Sequence, residues 1–228
     1  MSSIIPARVG IILDGNRRWA EMKGLPSVEG HRRGAENVRT IAEYAFERGV
    51  KVLAFYVFST ENWKRSPAEV AFLMDLFRAY VKDWSELQEK GIKVVFAGNA
   101  KKLPKDILRI TREIQAAAPK KAKGTIIVCL SYGGRDEVVR AARRAIEQNI
   151  SARSLSEKKF ATFLDVPELE DVDLVIRTSG EQRLSGFLLW QASYAELYFS
   201  KKMWPAFSKK DFDTALEEYA SRKRRFGA

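Results

Sequence analysis

Asp14, Gly15, Asn16, Arg17, Arg18 and Trp19 follow directly on the apolar run Val9-Gly10-Ile11-Ile12-Leu13. A carboxylate beside two guanidiniums suggests a divalent metal and a polyanion such as pyrophosphate. Two more turns of this kind occur later. Phe58-Ser59-Thr60-Glu61-Asn62-Trp63-Lys64-Arg65 ends one apolar run, and Asp173-Leu174-Val175-Ile176-Arg177-Thr178-Ser179-Gly180-Glu181 ends another, closely followed by Arg183-Leu184-Ser185-Gly186. Alone, each is weak, because an arginine after a strand is usually solvated. If the three turns share one sheet edge, they bring Arg17, Arg18, Arg65, Arg177 and Arg183 together with Asp14 and Glu196. Arginines crowd like that only around anions, and two diphosphates would suffice. His31 is the only histidine. It is either a partly exposed helix residue or a phosphate contact near a helix N-terminus.

These turns need strands to carry them. Residues 9–13, 52–58, 93–97, 125–130, 174–176 and 197–199 are short and rich in Val, Ile and Phe, as interior parallel strands are. Between them lie helical patterns at 30–48, 67–90, 104–117, 135–148 and 157–164, with a last helix from about 209 to 224. Gly49 and Gly91 stand where helix-ending glycines belong. Ser66-Pro67-Ala68-Glu69 reads as a capped helix start. The alternation predicts an α/β domain spanning residues 1–228: a central, mostly parallel six-stranded sheet with helices on both faces. In such sheets ligands bind at the carboxyl ends of the strands. The helix predicted at 67–90 is apolar on more than one stripe, so it is either buried between sheet and neighbour or one wall of an apolar tunnel.

The chain has 228 residues and a formal net charge of +11. The charge implies an anionic partner: nucleic acid, a phosphorylated substrate or an acidic membrane surface. Cys129 is the only cysteine, so no disulfide forms within the chain; it reads as a small buried hydrophobe. No apolar stretch approaches 18 residues, so no membrane span is expected, and a cytoplasmic location with surface attachment to a membrane is.

Taken in order, these blocks resemble the cis-prenyltransferase family, which includes undecaprenyl and dehydrodolichyl diphosphate synthases. The resemblance runs from Val9 to Gly227. It rests on Ile12 to Ala20, Gly30-His31, Phe58 to Trp63, Asp173 to Glu181, Trp190-Gln191 through Phe199, and Arg225-Phe226-Gly227. It implies condensation of isopentenyl diphosphate with an allylic diphosphate such as farnesyl or geranylgeranyl diphosphate, with a cis double bond formed and the cycle repeated into a long product. It implies Mg2+, held by Asp14 with help from Glu196. Gly15, Asn16, Arg17, Arg18 and His31 would cradle the allylic diphosphate; Arg177, Arg183 and Ser185, beside Leu184, would bind isopentenyl diphosphate. Asn62 would sit near the departing proton, and Ser59, Thr60, Glu61, Trp63 and Arg65 would shape the site with Trp19. It also implies a homodimer in which Arg225 and Gly227 reach the neighbour's site. The helix at 67–90 and the strand at 93–97 would wall the tunnel.

Three positions depart from the bacterial pattern. Arg17 replaces a Gly, Ser27 an Arg that contacts phosphate, and Gln182 a His near the metal. Together they lean towards archaeal or eukaryotic members. Two other functions compete. A noncatalytic partner subunit of a heteromeric enzyme would lack the aspartate block, which is present here. A nucleic-acid binder would gather its basic residues into a stripe with exposed aromatics; here they are dispersed, and no nucleic-acid partner is expected. A short-chain synthase is the remaining alternative.

Overall fold

The computed structural model describes residues 4–222, apart from the side chains at 81–83. Arg225 and Gly227 lie outside the described residues. Six strands form one sheet: β1 (Arg8–Ile12), β2 (Val52–Ser59), β3 (Ile92–Ala97), β4 (Gly124–Tyr132), β5 (Leu174–Arg177) and β6 (Glu196–Phe199). Every pairing is parallel, and the order across the sheet is β3-β4-β2-β1-β5-β6. From β1 the chain adds β2, takes the far edge with β3, returns to insert β4 between β3 and β2, then crosses to β1's other side for β5. The β1/β5 boundary is therefore a topological switch point, where a crevice opens beyond the strand ends. The register aligns Ile12 with Arg177 there.

Apolar residues alternate between two cores, one on each face. Val9, Ile11, Leu53, Phe55, Ile126 and Val128 pack on one side. Ile12, Ala54, Tyr56, Ile127, Cys129 and Val175 pack on the other. Coverage on both faces explains why each strand is a continuous apolar run. Cys129 is fully buried and free, with its thiol pushed up by burial, as a structural cysteine should be.

The helices are α1 (Asn16–Met22), α2 (Ser27–Glu47), α3 (Pro67–Ala79), α4 (Val81–Glu89), α5 (Lys105–Ala116), α6 (Gly134–Glu147), α7 (Glu157–Ala161) and α8 (Lys209–Ser221). Two differ from the sequence expectation. The segment after Asp14 is a short helix, α1, rather than an irregular turn. It has no side-chain cap and starts from Gly15 at φ 97°, which leaves little sequence signal. The single helix expected over 67–90 is two, broken at Tyr80 (φ −91°, ψ 4°) without a Pro or Gly to announce it. Ser66 caps α3 as expected, accepting from the Glu69 backbone N–H.

Trp204 joins α2 to the Asp14 turn. Its indole N–H donates to Gly34 O at 2.7 Å, its backbone N–H to Asp14 O at 2.9 Å, and its ring stacks on Phe207. It is fully buried. Trp204→Ala is expected to cost about 3–5 kcal/mol, as large aromatic truncations do, read as a lowered urea midpoint at unchanged slope.

Candidate active site

The crevice at the switch point opens into a cavity of about 900 Å³. Its mouth holds the polar groups of three strand ends, and its depth is lined by Val38, Leu73, Met74, Phe77, Trp84 and Leu87. This is the expected apolar tunnel, with one change in its walls. The sequence pointed to the 67–90 helix and the 93–97 strand; the lining instead draws on α2, α3, α4 and β2, and includes no β3 residue. A register shift around Val57 in β2 turns that residue out of the sheet pattern, into the cavity.

Asp14 stands at the centre of the mouth. Thr178 fixes its backbone: Oγ1 accepts from Asp14 N–H and lies 2.8 Å from its carbonyl. Oδ2 receives Arg177 Nη2 at 2.8 Å, and Oδ1 receives Arg18 Nη2 at 3.3 Å. Burial alone would raise the carboxyl's pKa, but the bond and charge of Arg177 and the charge of Arg18 outweigh it. The net shift is downward. Asp14 is therefore a carboxylate at neutral pH. Gly15 is required beside it, because a Cβ there would sit 2.9 Å from Ser179 Cβ at a left-handed φ.

Arg177 is 4% exposed and forks three ways: to Asp14, to the Arg183 carbonyl, and to Ser185 Oγ at 2.8 Å. Ser185 (φ 51°) and Ser179 (φ 80°) are both held in the left-handed region around it, strain that accumulates at ligand sites.

The remaining cations of the mouth rest on carboxylates. Glu69 gathers Arg65 at 2.8 Å and Arg17 at 3.8 Å, and the imidazole of His31 lies 3.9 Å from it. Glu181 holds Arg18 at 3.2 Å and also pairs with Arg183. These are partly exposed pairs, individually weak, and a bound polyanion can replace their acidic halves. His31 is neutral: burial and the charges of Arg65 and Arg17 outweigh Glu69 and depress its pKa to about 4. Its Nε2 is buried without a hydrogen-bond partner. Because it is the only histidine, its C–H proton resonances give an unambiguous titration. A midpoint near 4 is expected in the free protein, moving up when inorganic pyrophosphate is added; a midpoint near 6.5 in the free protein contradicts this environment.

Asn62 completes a capping box: its Oδ1 accepts from Ser59 N–H at 3.0 Å, and Ser59 accepts from the Asn62 backbone. The bond fixes the orientation of the amide, with Nδ2 as a donor. Thr60 and Glu61 line the same wall, their side chains bonded at 3.0 Å.

Several expected residues lie elsewhere. Trp63 is scaffold, donating to Ser131 Oγ at 3.0 Å and packing edge-on against Phe58. Ser27, Trp19 and the Arg183 side chain line neither the cavity nor the adjoining groove along Arg17 and Arg18. Leu184 packs against the second core. Glu196 stands apart from Asp14 within one chain. β6 pairs it with Leu174, so it stands three residues back from the edge that carries Arg177. There it binds Arg222 at 2.7 Å, and within one chain it does not join Asp14.

The mouth also includes residues the sequence reading passed over: Tyr56, Gly133, Gly134, Arg135 and Asp136. The signal was present. Tyr132-Gly133-Gly134-Arg135 follows a strand just as the other three turns do.

The donor set suits a hard divalent cation. Asp14 offers a carboxylate, and Asn16 Oδ1 is buried without a partner in the same cavity. Among the described residues no group of three or more His, Cys, Asp or Glu is placed to bind a metal. A cation here would draw its other oxygens from phosphate and water, as Mg2+ commonly does. Among these residues, too, no helix is long and apolar enough to cross a membrane.

A family model described as putative undecaprenyl diphosphate synthase matches residues 12–227. The chain is 43% identical over 226 residues to an isoprenyl transferase of Thermotoga maritima, covering 98% of this chain and 97% of that one. It is 44% identical over 230 residues to a trans,polycis-polyprenyl diphosphate synthase, (2Z,6E)-farnesyl diphosphate specific, of Thermobifida fusca, covering 98% and 81%. In structure it is similar to lavandulyl diphosphate synthase from Lavandula x intermedia, crystallised with dimethylallyl diphosphate: TM-score 0.93, 33% identity, 98% and 99% of the chains. A probable undecaprenyl diphosphate synthase from Campylobacter jejuni gives TM-score 0.82 and 29% identity over the same shares.

Proposed function

The chain belongs to the undecaprenyl diphosphate synthase family and is a prenyl transferase; we propose that it is a Mg2+-dependent cis-polyprenyl diphosphate synthase. It joins isopentenyl diphosphate to an allylic diphosphate such as farnesyl or geranylgeranyl diphosphate and repeats the step to a long product. The carrying observation is the union of two environments. A cluster of guanidiniums around Asp14 opens directly onto a deep apolar cavity. Diphosphates fit the first and a growing hydrocarbon the second.

In each cycle the allylic C1–O bond breaks and pyrophosphate leaves. The double bond of isopentenyl diphosphate attacks C1, a carbon–carbon bond forms, and a proton is lost from the attacking unit. When bound, Mg2+ would screen charge on the departing pyrophosphate. Asp14 would hold it with Asn16, giving up the ion pair with Arg177. Arg17, Arg18, Arg65 and His31 would exchange Glu69 and Glu181 for phosphate oxygens. Arg177 and Ser185 would orient the isopentenyl diphosphate. Asn62 is no base, since a neutral amide is barely basic; a pyrophosphate oxygen is the better acceptor for the proton. By family resemblance the working unit is a homodimer, and a net charge of +11 suits delivery of product at an anionic membrane surface.

Calorimetry with an unreactive farnesyl thiolodiphosphate tests the allylic half. Tight binding is expected only with Mg2+. Arg65→Ala is expected to weaken it about tenfold, the loss of one charge-assisted contact. Equal binding without metal would contradict the proposal.

A further inference from the structure

The cavity lining also carries a charge the reaction does not use. Arg39 lies on α2 eight residues past His31, about 12 Å further along the helix. Its neighbours in the lining, Val38, Trp84 and Leu87, are apolar. From this wall its guanidinium crosses to α4, where Nη1 meets Glu86 at 2.7 Å; Nε lies 3.4 Å from Glu43 on its own helix. Glu43 in turn binds Lys90 at 2.7 Å. Ion pairs thus lace the seam between α2 and α4. The indole N–H of Trp84, also in this wall, is buried without a hydrogen-bond partner.

A growing hydrocarbon gains by covering apolar wall. It loses by covering an ion pair, which must then give up its water. Arg39 in the lining, held by Glu86 behind it, therefore stops elongation in a way that no apolar side chain of equal bulk would. We propose that the Arg39–Glu86 ion pair sets product length, by closing α2 against α4 and ending the apolar cavity in charge. The inference rests on the chain-elongation reading above. Arg39 and Glu86 act on length alone and touch no reacting atom.

The test replaces the pair by apolar residues of similar shape, Arg39→Met with Glu86→Leu. Labelled isopentenyl diphosphate in excess is run with farnesyl diphosphate, and the products are sized by chromatography. The main product of the double variant is expected to move up by at least one five-carbon unit. Arg39→Lys, which keeps the charge, is expected to hold the wild-type length. Incorporation with an unchanged product ladder in the double variant overturns the proposal. Should its melting curve show a disturbed fold, Arg39→Gln, which takes the charge out of the lining and leaves Glu86 at its partly exposed site, carries the same test. The same upward shift supports the proposal, and an unchanged length overturns it. No incorporation by the wild type contradicts the elongation reading itself, and the length-setting role with it.

Discussion

Asp14→Ala is expected to lower kcat/KM for prenyl transfer by about 10²–10³ in a chain that still folds, at a lower melting temperature because Arg177 loses its partner, the rate loss being the size seen when one preorganised electrostatic group is lost from a transition state. The carboxylate is 27% exposed on its side chain and lies between Arg177 and Arg18. Its two oxygens meet Arg177 and Arg18 directly, while Glu69 holds Arg65 and Glu181 holds Arg183 and Arg18. Asp14→Asn keeps the shape and removes the charge. If charge on the departing pyrophosphate is the difficulty, Asn should be nearly as damaging as Ala. Circular dichroism and kcat/KM measured together separate this from unfolding. An Asn variant with near wild-type turnover would show that Asp14 only shapes the loop.

Arg177→Ala is expected to damage both stability and activity. Removing a buried guanidinium leaves three partners behind: the Asp14 carboxylate, the Arg183 carbonyl and Ser185 Oγ. Breaking a buried ion pair from one side typically costs about 3 kcal/mol or more. Asp14 is ionised and held below its ordinary value of 3.8, so its contribution is present above that pH and is lost as pH falls through the lowered value. The stability gap between wild type and Arg177→Ala should therefore be full at pH 7 and narrow below about pH 4. Kinetically, KM for isopentenyl diphosphate should rise more than KM for the allylic substrate. Arg177→Lys should recover the stability in part but not the KM, because an ammonium cannot fork to Asp14 and Ser185 together. A gap that does not change with pH would mean that the Asp14–Arg177 pair adds nothing to folding.

Much of this was written plainly in the chain. The strands were legible because both faces of the sheet are covered, which makes each an unbroken apolar run. The chemistry was legible because three polar turns each follow such a run, and parallel strands bring those ends to one edge. What stayed hidden depends on through-space pairing. Glu69 reads as a helix-capping residue, yet its carboxylate also gathers Arg17, Arg65 and His31 from three segments. Glu196 sits in a block that resembles a functional one; the strand expected at 197–199 already puts it at a strand's start, and only the register with Leu174 shows how far that is from the Arg177 edge. The break at Tyr80 and the onset of α1 lack Pro, and α1 lacks a cap. Those helices are set by what they pack against. The role of α2 as a tunnel wall was invisible for the same reason: its apolar stripe faces sheet and cavity alike.

Incorporation of labelled isopentenyl diphosphate by the purified chain alone, with farnesyl or geranylgeranyl diphosphate, in Mg2+ and then in EDTA, bears most directly on the account. Metal-dependent growth of an extractable prenyl product is the predicted result. A folded wild-type chain that incorporates nothing with any primer would contradict a self-sufficient synthase and point to a missing catalytic partner.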